Sequence, residues 1–150
     1  MIIKHTRDTL SETYLDAVAI RNTVFVKEQG VPRSIEIDAN EAYCIHFVLY
    51  DDKGKAAATV RLLPNKDLTQ LTLQRMAVLD AYQGQGLGSI LLKEAEDFAQ
   101  EQGFQTISLH AQLGALKFYL NNGYQEVGQI FEEAGIQHIT VEKSLISKKA

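Results

Sequence analysis

The sequence predicts an α+β fold built on a mixed sheet, and three observations carry that expectation. Strand-like and helix-like runs follow one another as β, α, a β meander, then β–α–β–α–β–β. The meander contains a tight turn, Asp51-Asp52-Lys53-Gly54, which makes a hairpin. The later strands are separated by helix-length segments, which make crossovers. Hairpins and crossovers together give a mixed sheet rather than a purely parallel one, and they disfavour a Rossmann-type domain.

Residues 1–6 read as the first strand. Thr9-Leu10-Ser11-Glu12 has capping-box spacing, with Thr9 as N-cap and Glu12 reaching back. Leu10, Tyr14, Ala17, Val18, Arg21 and Phe25 follow helical spacing to about Lys27. Residues 28–40 hold Gly30 and Pro32 and read as an ordered loop. Residues 43–50 and 55–63 are the two arms of the hairpin, the second ended by Pro64-Asn65. Leu71, Leu73, Arg75 and Ala77 alternate with Thr72, Gln74, Met76 and Val78, which predicts a strand with two contrasting faces. A helix over residues 90–102 ends at Gly103, a typical C′ position. Residues 106–110 form a strand and 113–121 a helix, followed by Asn122-Gly123. Residues 124–127 and 138–145 form a last strand pair, with 131–135 in the connection.

Between a strand and a helix lies Gln83-Gly84-Gln85-Gly86-Leu87-Gly88-Ser89. Glycines at alternate positions let backbone N–H groups turn inward without a Cβ in the way. At a helix start, unpaired N–H groups and the helix dipole favour an anion, so a phosphate is the expected ligand. A Walker A loop needs a Lys that Leu87-Gly88-Ser89 does not supply. The dinucleotide fingerprint needs G-x-G-x-x-G, and the spacing here is Gly84-x-Gly86-x-Gly88.

The chain has 150 residues, 45% hydrophobic and 23% charged, as expected of one ordinary globular domain spanning 1–150. A net charge of −4 argues against bulk binding of nucleic acid or anionic membrane. Lys148-Lys149 reads as a solvated tail. Cys44 is alone, excludes an internal disulfide, and reads as a small core residue beside Tyr43, Ile45 and Phe47. No apolar run approaches the ~20 residues of a membrane span, and the first residues lack a signal-peptide layout, so the expected setting is cytoplasmic. A zinc site from Cys44, His46, His110 and His138 lacks the short ligand spacing of zinc knuckles, so no metal is expected.

The glycine loop fits Gln/Arg-x-x-Gly-x-Gly/Ala through Gln83, Gly86 and Gly88. In this place it resembles the acyl-coenzyme A pyrophosphate loop of the GNAT superfamily of N-acyltransferases. Gln112, Ala115, Phe118-Tyr119 and Gly123-Tyr124 resemble that superfamily's Asn-x-x-Ala-x-x-Phe-Tyr-x-x-x-Gly-Phe segment, with Gln112 in place of Asn. Residues 21–29, read as Arg-x-x-Val-Phe-x-x-Glu-Gln, resemble the ElaA/YjcF-like branch. So do Glu36-x-Asp38 with His46, Leu109-His110-Ala111-Gln112, and Phe131-x-Glu133-x-Gly135-Ile136-x-His138. The resemblance implies a GNAT-type fold, a mostly antiparallel sheet of six to seven strands flanked by about four helices. It implies transfer of an acetyl group from acetyl-coenzyme A, a co-substrate, to an amine.

Carried over residue by residue, the resemblance puts pantetheine against the backbone of Met76, Ala77 and Val78. It puts the pyrophosphate against Gln83, Gly84, Gln85, Gly86, Leu87, Gly88 and Ser89, with Gln112, Ala115, Phe118 and Tyr119 nearby. Tyr119 takes the place of the general acid that protonates the leaving thiolate; packing alone is the bland alternative. Glu28, Glu36, Asp38, His46, His110, Glu133 and His138 are the candidate bases. His110 and His138 lead, because histidine titrates near neutrality. Glu28 and Gln29, with Asp38 and His46, are expected on the acceptor side, and carboxylates facing a cleft would select a cationic amine. The acceptor is a small-molecule amine or a peptide amine, and a homodimer is compatible with the β-rich C-terminal end. Two other readings stand beside this one. A non-catalytic acyl-coenzyme A sensor would need no acid or base. An acyl-homoserine-lactone synthase shares the Arg-x-x-Val-Phe opening but generally lacks this glycine loop with the Phe-Tyr helix.

Overall fold

A seven-stranded sheet runs in the order β1-β2-β3-β4-β5-β7-β6. Its strands are β1 Ile2–Thr6, β2 Ile45–Tyr50, β3 Ala56–Pro64, β4 Gln70–Val78, β5 Thr106–Gln112, β6 Gln125–Glu133 and β7 Ile136–Ser144. This computed structural model describes residues 1–146, with the side chains of 34 and 35 excepted; Lys148-Lys149 lies outside them. All neighbouring pairs are antiparallel except β4 with β5. The helices are α1 Glu12–Arg21, a single turn α2 Arg33–Glu36, α3 Leu87–Glu101 and α4 Leu116–Asn121. The described residues thus hold three helices longer than one turn, where about four were expected. Among them no helix is long and apolar enough to cross a membrane.

The two faces of the sheet are buried by different helices. Leu87, Leu91, Leu92, Ala95 and Ala99 line one side of α3 and pack with Ile45, Phe47, Leu62, Leu71 and Ile107. Ala17, Ile20 and Val24 cover the opposite face at Val48 and Ala77. Fully burying each large apolar side chain stabilises by about 1.5–3 kcal/mol, so a sheet covered on both faces holds its strands firmly in register.

Local chemistry shifts several boundaries from those expected. Ser11, not Thr9, caps α1, its hydroxyl accepting from the Tyr14 N–H at 3.2 Å. The α-helix ends at Arg21 and continues as a wider π-type turn over Asn22–Glu28. Residues 113–115 make a tight 3-10 turn before α4 begins. Residues 131–133 belong to β6, so the hairpin loop is only Ala134-Gly135, both left-handed at φ 53° and 77°. An irregularity between Val127 and Phe131, with Gly128 at φ 79°, hides the strand from an alternation test.

Candidate active site

The parallel pair β4–β5 is joined only at Gln70↔Thr106, Leu71↔Ile107 and Thr72↔Ser108. Beyond Thr72 the two strands part, while β4 stays paired with β3 through Val78↔Ala58. Backbone groups of residues 73–78 that point toward β5 therefore have no strand partner there, and a ligand chain can supply one. Met76, Ala77 and Val78 form the far lip of this gap.

The glycine loop continues from that lip. The Gln83 amide donates to the Val78 carbonyl at 3.2 Å, tying the loop to the strand end. Gly84 and Gly86 are left-handed at φ 80° and 74°, and a Cβ on either would meet nothing within 4 Å. Gly86 is the N-cap of α3, and no side chain among the described residues caps that helix. The N–H groups of Leu87, Gly88 and Ser89 thus lack intrahelical partners. Gly88 is glycine for a different reason, since a Cβ there would come 3.3 Å from the Phe118 ring.

Phe118 brings α4 against this helix start. The Asn122 amide bridges the two elements, donating to the Phe118 carbonyl at 2.8 Å and to the Ser89 hydroxyl at 3.3 Å. Gln112 ends β5 and Ala115 ends the turn that starts α4. Tyr119 is buried edge-on to Phe118 and Tyr124, at ring centroid distances of 5.0 and 5.7 Å. Burial pushes its phenol up to about 12, so it stays protonated at neutral pH.

His110 and His138 come together on the other strands. The β5–β7 register sets Gln112 opposite His138 and His110 opposite Thr140. Glu133 of β6 lies 3.1 Å from His110 Nδ1 and 3.8 Å from His138 Nε2. Phe131 stands edge-on to His110 at 4.9 Å and stacks on His138 at 5.9 Å. His138 Nδ1–H donates to the Ile136 carbonyl at 2.8 Å, so the neutral ring carries its lone pair on Nε2.

His46 and Asp38 belong to a network of three arginines, Arg21, Arg61 and Arg75, and three carboxylates, Glu36, Asp38 and Glu41. His46 is buried, bonds the Glu41 carbonyl through Nε2 at 2.9 Å and meets Tyr14 edge-on. Asp38 is gripped by both Arg61 terminal nitrogens at 3.0 and 2.8 Å. Arg61 also binds Glu41 and the Gln74 amide oxygen. Arg21 binds Glu36 and, at 2.8 Å, Glu41. Glu28 and Gln29 are exposed at the end of the π-type turn. The arginine network was missed from sequence, although Arg61 stands as a lone charge within the apolar run of β3, and that was the available signal.

This network sets an acid limit. Burial alone would raise the Glu41 carboxyl, but hydrogen bonds from Arg21 and Tyr14 and the charges of Arg21 and Arg61 outweigh it and hold it low. The Arg61 hydrogen bonds likewise lower Asp38, against burial. Burial lowers His46 and keeps it neutral. All three folded pKa values lie below the unfolded ones, so their stabilisation is present above the unfolded values and lost as pH falls. Urea unfolding at a pH series should show stability declining below 6.5 through His46, then more steeply below 4.5 through Glu41. Glu41→Gln should cost about 3–5 kcal/mol at neutral pH, because it leaves buried guanidinium charge uncompensated. Variant and wild type of equal stability there would show that the buried pairs add nothing.

Residues 9–145 match the family model described as an acetyltransferase (GNAT) domain. The chain belongs to the GNAT acetyltransferase family. It is 36% identical over 134 residues to the uncharacterized N-acetyltransferase YjcF of Bacillus subtilis (strain 168), covering 88% of this chain and 93% of that one. The Escherichia coli ElaA crystal structure superposes with a TM-score of 0.83 at 24% identity, over 95% of this chain and 99% of that one. The YjcF identity places the chain in the ElaA/YjcF-like branch, and ElaA shares its fold. An aminoglycoside 6'-N-acetyltransferase solved with coenzyme A has the same fold, with a TM-score of 0.76 at 16% identity over the full length of both chains.

Proposed function

We propose that this GNAT protein moves an acetyl group from acetyl-coenzyme A to a primary amine by direct attack in a ternary complex. One observation carries the reading. The lip at residues 76–78, which has no β5 partner, is separated from the uncapped loop at 83–89 only by residues 79–82, so one extended donor can lie along both. The loop N–H groups bind the pyrophosphate and the β4 backbone binds the pantetheine arm. The structural neighbour with coenzyme A bound supports the same donor here.

The amine nitrogen attacks the thioester carbonyl carbon, the C–S bond breaks, and the sulfur leaves as a thiolate. Tyr119, protonated at neutral pH, gives that thiolate its proton. His138 Nε2 or His110, coupled through Glu133, accepts the proton lost by the amine. Exposed Glu28 and Gln29 contact the acceptor, and the acidic residues favour a cationic amine. Asp38 and His46 act from behind, by holding the arginine network in place. A single buried Cys44 suits work in the reducing cytoplasm.

The test is thiol release from acetyl-coenzyme A with a panel of polyamines, amino sugars, peptides and free lysine. At least one amine is expected to give turnover. Tight coenzyme binding with no release on any of them would make the protein an acyl-coenzyme A sensor and overturn the reading.

A further inference from the structure

Arg75 interrupts β4 where no glycine marks the break. Its φ of 59° is left-handed, a conformation disfavoured for any residue with a Cβ. The β3–β4 register slips at the same point. Thr59 pairs with Ala77 and Arg61 with Gln74, so Arg75 and Met76 together oppose Val60. This is a β-bulge, and it turns the following residues, 76–78, along the lip of the gap.

The Arg75 side chain is tied to a separate segment. Its Nε lies 2.6 Å from Glu36 Oε2, and a terminal nitrogen lies 3.4 Å from Asp38 Oδ2. Glu36 is itself buried and held by Arg21, which also donates to the Glu36 carbonyl at 2.8 Å. Asp38 is held by Arg61. Residues 36–38 therefore form a fixed strut anchored on α1 and β3, and Arg75 joins the bulge to it. Without that tie the backbone of the bulge is free to shift toward regular pairing, whatever residue stands at 75.

We propose that Arg75 is a positioning residue. Its ion pairs with Glu36 and Asp38 hold the β4 bulge in the shape that presents the backbone of residues 76–78 to the acyl-bearing arm of the donor. This rests on the donor placement proposed above.

Arg75→Gly is the decisive variant. Glycine adopts positive φ without strain, Glu36 keeps Arg21, and Asp38 keeps Arg61, so the fold is retained and only the tie is lost. Amide hydrogen exchange at residues 76–78 should accelerate by about tenfold or more while β2 is unchanged. The kcat for thiol release should fall by about 100-fold, as expected of a misplaced reacting group. Coenzyme A affinity should fall far less than kcat, because the loop at 83–89 that binds the pyrophosphate is untouched. Arg75→Lys keeps one cation against Glu36 and should recover part of both losses. Exchange and kcat like wild type in the glycine variant would overturn the proposal, as would a lysine variant no better than glycine. If the wild type released no thiol with any amine, the activity reading would fail, while the exchange measurement would still decide whether Arg75 holds the bulge.

Discussion

Gly86→Asp is expected to abolish coenzyme A binding while leaving the fold intact. Gly86 is left-handed at φ 74° and a Cβ there meets nothing within 4 Å, so the substitution creates no clash. Its steric cost is the left-handed conformation, about 1–2 kcal/mol, and aspartate tolerates that region better than most residues. The new carboxylate stands at the start of α3, whose leading N–H groups have no side-chain cap. It competes for those donors and repels the pyrophosphate. Losing two charge-assisted hydrogen bonds at about 1.5 kcal/mol each weakens affinity by roughly 100-fold before repulsion is added. Calorimetry with coenzyme A measures it, beside a thermal melt that confirms folding. Gly86→Ala adds the Cβ without the charge and should lose far less. Unchanged affinity in the aspartate variant would remove the loop from the donor site.

The loop was legible in sequence because its chemistry is local. Gly84, Gly86 and Gly88 are punctuation between a strand and a helix, and each backbone demand needs glycine where glycine stands. The order of elements was legible for a related reason. Leu87, Leu91, Leu92 and Ala95 repeat at helical spacing because one face of α3 lies on the sheet. Where burial and periodicity coincide, a pattern of apolar residues reports the structure.

What was not legible depends on distant partners. Arg75 adopts a glycine-like φ because Glu36 and Asp38 reach it from another element, and nothing adjacent in sequence signals that. The alternation over residues 71–78 reads as a regular strand and conceals the bulge. Arg21 and Arg61 are buried because they are paired with carboxylates, which composition rules place at the surface. Most of β6 is exposed at the sheet edge, so its apolar pattern is faint and its second half reads as a connection. His110, Glu133 and His138 illustrate the middle case. Each was a candidate alone, and only the register of three strands brings them to one place.

Tyr119→Phe is expected to lower kcat by about 100-fold or more, the scale of a lost general acid, with coenzyme A affinity nearly unchanged. The ring packs between Phe118 and Tyr124, and phenylalanine preserves both contacts. The substitution removes only the hydroxyl, so stability should move by no more than about 1 kcal/mol. The pH dependence makes the assignment sharper. Burial raises the phenol to about 12, so the acid form persists through the assay range and produces no alkaline limb there. The ratio of wild-type to variant kcat should then be constant between about pH 6 and 9. Steady-state thiol release at a pH series reads that ratio. A variant with wild-type kcat would leave Tyr119 as core packing against Phe118 and Tyr124, and the thiolate would have to take its proton from water.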